Sequence, residues 1–312
     1  MTVGSVDLGA IGRQLSDALP GQISLDEPLG VLTTYRVGGA ASILMRAQKH
    51  TDLSVLTKVL GSNTCPIVVM GRGSNLLVAD AGFPGLALFL EGDFEKVEVG
   101  EKSLRAGGAV PLPVLARRAA GEGRSGLEFF VGIPGSVGGA IAMNAGGHGR
   151  ETVDVLMSAD ISDLAGDGVP RTRSPKDLRL GFRKSAIETD DVVVSAEFAV
   201  EDADPDVCKE QIAEIVRWRR DNQPGGANAG SVFKNPSGDA AGRLLDVSGL
   251  KGMRIGGASV SMKHANFIQA DPGSMAADVR ALIDEVRRRV GVDSGIDLEP
   301  EVRFLGFKEQ SS

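Results

Sequence analysis

The chain has 312 residues, 42% hydrophobic and 24% charged, a balance that supports more than one compact buried core and excludes a mainly disordered polymer. Its 34 basic and 41 acidic residues give a formal charge of -7, a field that repels duplex nucleic acid and anionic membranes. Aromatic content of 4% is too low for a base-stacking single-strand binder, whereas the 42 glycines, with no collagen-like period, point to loops that approach something closely.

In chain order, Leu8, Ile11, Leu15 and Leu19 have amphipathic helical spacing, so residues 1–20 read as a surface helix and not a secretion signal. A helix capped by Thr51 and stopped by Gly61 precedes the apolar run Pro66 to Met70, the glycine loop Gly71 to Asn75 and a second apolar run, Leu76 to Val78. The middle third alternates short strands with glycine turns, includes a helix over Pro111 to Ala120 and ends on the strand Val192 to Val200. A boundary falls at Glu201 to Pro205, where Asp204 caps and Pro205 opens a helix striped with Cys208, Ile212, Ile215 and Val216. A last helix starts at Ser274 and carries Met275, Val279, Leu282, Ile283, Val286 and Val290, followed by a strand from Ile296 to Leu305 that Pro300 interrupts. No apolar run approaches the ~20 residues that cross a bilayer. Cys65 and Cys208 are too few and too distant for a disulfide scaffold, which fits a reducing cytoplasm.

Two loops carry the strongest chemical signal. Gly71-Arg72-Gly73-Ser74-Asn75-Leu76 resembles the dinucleotide fingerprint G-x-G-x-x-G, but Leu76 replaces the third glycine and a strand follows where a helix should. Gly132 to Ala140, continued by Asn144 to Gly147, is the second. Backbone N–H groups there can converge on phosphate oxygens, with Ser74, Asn75 and Ser136 as further donors. Neither loop has the Lys-Ser/Thr of a nucleoside triphosphate site, so a diphosphate-containing cofactor is favoured over ATP; tight turns between strands are the competing reading. The histidines His50, His148 and His264 are scattered, and no Cys/His spacing suits a metal. By residue type alone, Arg183 beside Lys184 reads as a solvated charge pair, Ser231 as a turn donor and Glu301 as a charge on an edge strand.

Taken together, Thr33 to Gly39, Gly71 to Asn75, Gly132 to Ala140, Gly181 to Ser185, Ala229 to Pro236 and Leu298 to Val302 resemble, in order, the UDP-N-acetylenolpyruvoylglucosamine reductase family. The resemblance covers about Leu32 to Gly306. It implies an α+β chain: an N-terminal helical segment over 1–31, an FAD-binding domain of the vanillyl-alcohol-oxidase/PCMH type over 32–202 with two subdomains split near 86, and a C-terminal UDP-sugar-binding domain over 203–312. The family divides by a loop whose Tyr folds over the substrate. No Tyr lies between Arg183 and Ser231, and Tyr35 is the sole Tyr, so the chain is similar to the shorter subclass.

The implied reaction uses NADPH to reduce FAD and passes hydride from flavin N5 to the enolpyruvyl ether of UDP-N-acetylglucosamine enolpyruvate, giving the lactyl ether of UDP-N-acetylmuramate in peptidoglycan precursor synthesis. By the same resemblance Arg183 pairs with the substrate carboxylate, Glu301 hydrogen-bonds the enolate-like oxygen, and Ser231 delivers a proton to the α-carbon, with Lys234 or a water as its activator. Cofactor contacts are expected from Tyr35, Gly71, Arg72, Gly73, Ser74, Asn75, Gly132, Pro134, Gly135, Ser136, Gly138, Gly139, Ala140 and Asn144. Substrate contacts are expected from Asn235, His264 and Asn266. Relatives often place a lysine where this chain has Asn222, which leaves Arg219, Arg220 or Lys263 for the diphosphate. A cytoplasmic monomer is expected, with no metal, nucleic acid or membrane partner. The alternatives are an FAD-dependent oxidase of the wider fold and a non-catalytic UDP-sugar-binding protein.

Overall fold

The computed structural model describes residues 7–61 and 65–308. Helix α1 (Leu8–Ala18) is capped by Asp7, whose carboxylate accepts the Ala10 N–H at 2.9 Å, and it buries Ile11 and Leu15. Residues 1–6 of the expected N-terminal segment lie outside the described residues. Strands β1 (Ile23–Pro28) and β2 (Ala40–Ala47) lead to α2 (His50–Leu60). That helix starts before Thr51. Asp52, in its first turn, reaches back to accept the N–H groups of Gln48 at 2.8 Å and Lys49 at 2.9 Å, so the cap is an acid inside the helix and not a threonine before it. Strands β3 (Ile67–Met70) and β4 (Leu76–Val78) flank the first glycine loop, followed by β5 (Phe83–Leu90), β6 (Val97–Val99), β7 (Ser103–Gly107) and α3 (Leu112–Gly121).

The short strand β8 (Arg124–Ser125) precedes α4 (Val137–Met143) and the ribbon of β9 (Gly146–Gly147) and β10 (Arg150–Glu151). Next come β11 (Leu156–Asp163), β12 (Arg171–Arg173), α5 (Pro175–Leu178), β13 (Asp191–Ala199) and β14 (Glu201–Asp202). Helix α6 (Pro205–Asn222) begins where Asp204 accepts the Asp206 N–H at 2.8 Å. After it lie α7 (Ala241–Val247), the three-strand meander β15 (Arg254–Ile255), β16 (Ala258–Val260) and β17 (Ile268–Ala270), then α8 (Ala276–Ser294) and β18 (Arg303–Leu305).

The chain divides into two units that interleave along the sequence. The first holds residues up to Glu27, Ser42–Arg72 and Gly85–Arg217; the second holds Pro28–Ala41, Gly73–Pro84 and the chain from Trp218. The division between the units falls inside α6, after Arg217, and Cys208 and Ile212 of that helix are buried in the first unit's core. Val216, expected in the same stripe, is 42% exposed.

In the first unit a four-stranded sheet has the order β1-β2-β5-β3 and an antiparallel five-stranded sheet the order β12-β11-β13-β7-β6. Strand β13 serves two cores: Val192 and Val194 join Leu15, Leu53, Leu56 and Leu88, whereas Val193 and, past a register shift against β11 between Val193 and Ser195 that reverses the alternation of faces, Ala196 and Phe198 join Leu104, Leu115 and Ile141. Each such buried valine or phenylalanine stabilises the fold by about 2 kcal/mol.

The second unit is organised around α8, whose Val279, Leu282, Ile283, Val286 and Val290 are fully buried with Leu244 and Leu245 of α7. Here α8 begins at Ala276, two residues after Ser274, because Asp80 accepts the N–H groups of Ala276 at 2.8 Å and Ala277 at 2.9 Å. Of the expected strand Ile296 to Leu305, only Arg303–Leu305 forms a ladder, parallel to β4. Pro300, lacking an N–H, instead makes an isolated bridge with Phe233.

Candidate functional site

In the first unit the two glycine loops touch. A Cβ on Gly71 would lie 2.2 Å from the Ser136 Oγ, so only glycine permits this approach. Gly71 and Arg72 are exposed, as are Pro134 and Gly139; Gly132 is half-buried against the His148 ring. The expected convergence of N–H groups over Gly138, Gly139 and Ala140 does not occur. Gly138 donates to Gly108 O at 2.8 Å, Gly139 to Ser136 Oγ at 3.4 Å and Ala140 to Ser136 O at 2.8 Å, while Gly135 O accepts the Leu112 N–H. These groups are bonded inside the protein because they start α4, with Ser136 as its cap. The second loop therefore braces the first, and the exposed glycine and cation of the pair of loops are Gly71 and Arg72.

Arg183 sits on the turn closed by the Gly181–Lys184 bridge, with its backbone in the left-handed region at φ +54°. Its guanidinium lies at the C-terminal end of α4, within 3.5 Å of Asn144 O and 3.3 Å of Gly146 O, and Phe182 packs 5.1 Å from it. The carbonyl end of a helix attracts a cation. Glu151, which nothing in the sequence singled out, is 3.7 Å away. Asn144, expected among the cofactor contacts, is fully buried and its amide is bonded to protein on both ends, so it has no surface for a ligand.

In the second unit, the Phe233–Pro300 bridge pairs the segment after Gly230 with the segment before β18. Glu301 N–H donates to Val232 O at 2.7 Å and Lys234 N–H to Glu299 O at 2.9 Å, which sets half-buried Glu301 opposite Val232, the residue that follows half-buried Ser231. The Lys234 ammonium pairs with Glu299. Gly73 is buried, Ser74 half-buried, and Asn75 donates its amide to Glu301 O at 3.0 Å while accepting the Arg303 N–H on its own carbonyl.

Two further expectations are corrected here. Tyr35 has no exposed surface; it packs in this unit's core with its phenol beside the Ala229 backbone, and burial pushes its pKa up. Asn266 is buried too, and its amide accepts the Phe233 N–H at 3.0 Å and donates to Phe233 O at 2.8 Å, standing in for a missing strand beside Ser231. Both residues shape the site from within and do not face a ligand.

The other candidates lie nearer the surface. Asn235 Oδ1 accepts the Ala241 N–H and so caps α7. His264 accepts the Asn266 N–H on Nδ1 at 3.2 Å, and burial, then Lys251, lowers its pKa, leaving a neutral ring whose other nitrogen can donate. Lys263 donates to Arg220 O at the end of α6, Arg219 donates to Gln223 at 2.9 Å, and Asn222 folds back on Trp218 O. Among the described residues, no cluster of His, Cys, Asp and Glu could hold a metal ion, and no helix is long and apolar enough to cross a membrane.

Residues 41–169 match the FAD binding domain family, and residues 222–305 match the C-terminal domain of UDP-N-acetylenolpyruvoylglucosamine reductase. The reductase of Paramagnetospirillum magneticum is 40% identical over 96% of this chain and 97% of its own length. The chain belongs to the UDP-N-acetylenolpyruvoylglucosamine reductase family. The Symbiobacterium thermophilum protein named UDP-N-acetylenolpyruvoylglucosamine reductase 2 is 40% identical over 92% of this chain and 93% of its own. The crystal structure of the Thermus caldophilus reductase superposes with a TM-score of 0.78 at 35% identity, covering 91% of this chain and 98% of that one. The first unit's residues fit FAD, the cofactor of this family: the Gly71–Ser136 contact keeps a side-chain-free backbone exposed beside the Arg72 cation, a surface suited to a diphosphate.

Proposed function

We propose that this chain reduces UDP-N-acetylglucosamine enolpyruvate to UDP-N-acetylmuramate in peptidoglycan precursor synthesis. FAD, when bound, supplies the two-electron reduction and is itself recharged by NADPH. The observation that supports the reading is the Phe233–Pro300 bridge, whose register sets Glu301 opposite Val232, the residue next to Ser231, in a chain of a family with this activity.

The chemistry assigned to the side chains follows from charge. Reducing a double bond conjugated to a carboxylate leaves electron density on that carboxylate, and a rigid cationic fork such as Arg183 holds it in two parallel hydrogen bonds. Glu301 steadies the same density when it carries a proton. Ser231 Oγ gives its proton to the α-carbon, completing the addition across the bond. Gly71 and Arg72 hold the cofactor's diphosphate, and the chain from 203 onward binds the UDP-sugar, with His264 and Asn235 as donors and Arg219, Arg220 and Lys263 as the cations nearest that role. Two unpaired thiols, Cys65 and Cys208, support work in a reducing cytoplasm.

An anaerobic absorbance titration tests the reading. NADPH should bleach the bound flavin and the enolpyruvyl sugar nucleotide should restore its colour. In Ser231→Ala the bleaching should proceed as in the wild type while recovery slows about 100-fold or more, because only the second half needs a proton on carbon. Equal slowing of both halves would refute the Ser231 role, and a protein that cannot take up FAD would refute the function.

A further inference from the structure

Ser231 follows a run of small residues, Gly225-Gly226-Ala227-Asn228-Ala229-Gly230, in which Gly226 at φ +78° and Gly230 at φ +75° lie in the left-handed region. Such a run has little of its own to hold one shape, since glycine loses more backbone freedom on folding than any other residue. One side chain closes it. The amide nitrogen of Asn228 donates to Gly226 O at 3.1 Å and to Gly225 O at 3.3 Å, and its amide oxygen accepts the Gly230 N–H at 3.0 Å. A single amide thus ties both ends of the loop, and its last contact is with the residue that leads into Ser231.

The closed loop is fastened to β17, from which Ala270 N–H donates to Ala227 O at 2.9 Å and the Gln269 amide donates to Gly225 O at 2.9 Å. Past Ser231, Val232 N–H donates to Asn266 O at 2.9 Å. Ser231 is therefore bracketed: its chain is held at 230 and at 232, while among the described residues its hydroxyl has no hydrogen-bond partner. A hydroxyl fixed by its neighbours and itself uncommitted suits proton delivery to one carbon, because a misplacement of about 1 Å costs about 100-fold in rate. The hold at 232 is backbone to backbone, whereas the hold at 230 is made by the Asn228 side chain. We propose that Asn228 is a positioning residue for the reaction: it sets the direction in which Ser231 Oγ is presented and does not itself touch the substrate. The proposal rests on the role assigned to Ser231 above and adds to it the group that aims that hydroxyl.

In the FAD-loaded protein, Asn228→Ala should keep wild-type flavin content, reduction by NADPH and calorimetric affinity for UDP-N-acetylmuramate. Its reoxidation by the enolpyruvyl sugar nucleotide should slow about tenfold or more, because Ser231 Oγ is no longer aimed. The deciding measurement places Asn228→Ala in the Ser231→Ala background: a residue that acts only through Ser231 slows that variant by less than about twofold further, whereas a general weakening of the unit multiplies the two losses. Asn228→Asp keeps the acceptor for the Gly230 N–H and loses both donors, so its rate should lie between those of the wild type and Asn228→Ala; it carries the same cycle if the alanine variant does not fold. Wild-type reoxidation in Asn228→Ala, a loss of affinity for UDP-N-acetylmuramate, or multiplied losses in the double variant overturns this proposal while leaving the function standing. A Ser231→Ala protein that reoxidises as fast as the wild type overturns the role on which the proposal rests.

Discussion

The groups described around Arg183 lie between Ala140 and Ser185, on one short helix, one ribbon and one turn. Ser231 and Glu301 are different: the pairing of Phe233 with Pro300 sets Glu301 opposite Val232, next to Ser231, and Asn75 reaches the Glu301 carbonyl from 226 residues away. Both arrangements use a buried asparagine as an artificial peptide group. Asn144 replaces the missing partners of a turn, and Asn266 replaces the missing partner of a strand. Locally closed elements form at little loop-closure cost, whereas the Val232–Glu301 pairing beside Ser231 requires the second unit to have folded. A reaction group supported locally should survive disturbances elsewhere; one supported by distant pairing should report on the integrity of its unit.

The largest effect that would sharpen this contrast is expected from Asn266→Ala. It leaves the Phe233 N–H and C=O without partners inside the protein, a loss of about 3 kcal/mol, to be read from the urea midpoint. A midpoint shift of only a few tenths of a molar unit would mean that the strand carrying Ser231 does not depend on it. A smaller loss, about 1–2 kcal/mol, is expected from Asp80→Ala, since the segment 73–84 then no longer caps α8 from across the sequence. Unchanged protection of the first-turn amides of α8 in hydrogen exchange would show that the remote cap contributes nothing.

The smallest effect concerns acid. His264 has its folded-state pKa lowered by burial and by Lys251, so the unfolded chain binds the proton more readily than the native one. Stability is therefore greatest above the ordinary histidine value of about 6.5 and declines as the pH falls from there through the lower native value. His264→Gln should flatten this part of the stability curve between pH 7 and 5. An identical slope in wild type and variant would break the link between this ring and the second unit.

Much of the first unit was legible because its signals are contiguous. The apolar runs on either side of Gly71 to Asn75 are β3 and β4, the stretch from Pro111 gives α3, and β13 reads as an apolar run because it is buried on both faces. Legibility failed where a side chain's partner is remote. Thr51 looked like a cap until Asp52 took the N–H groups ahead of it, and Ser274 looked like a helix start until Asp80 set it at Ala276. The cofactor and substrate candidates separated on the same ground. Tyr35, Asn144 and Asn266 are polar residues in family motifs, which makes them look like ligand contacts, yet burial and internal hydrogen bonds turn them inward. Glu151 gave no signal, because a lone carboxylate between a glycine ribbon and a threonine turn resembles any surface acid.

The amino-acid order by itself determined which residues could do chemistry: a guanidinium, a hydroxyl and a carboxyl set in recognisable motifs, with glycines where a side chain would obstruct. Composition and local pattern suffice for that, since residue type and near-neighbour spacing set charge, donor capacity and backbone freedom. Which polar groups remain available to a ligand was decided only by the tertiary structure. An amide's hydrogen bonds depend on what lies within 3 Å of it, and for Asn144, Asn266 and Asp80 those neighbours come from 7 to 197 residues away.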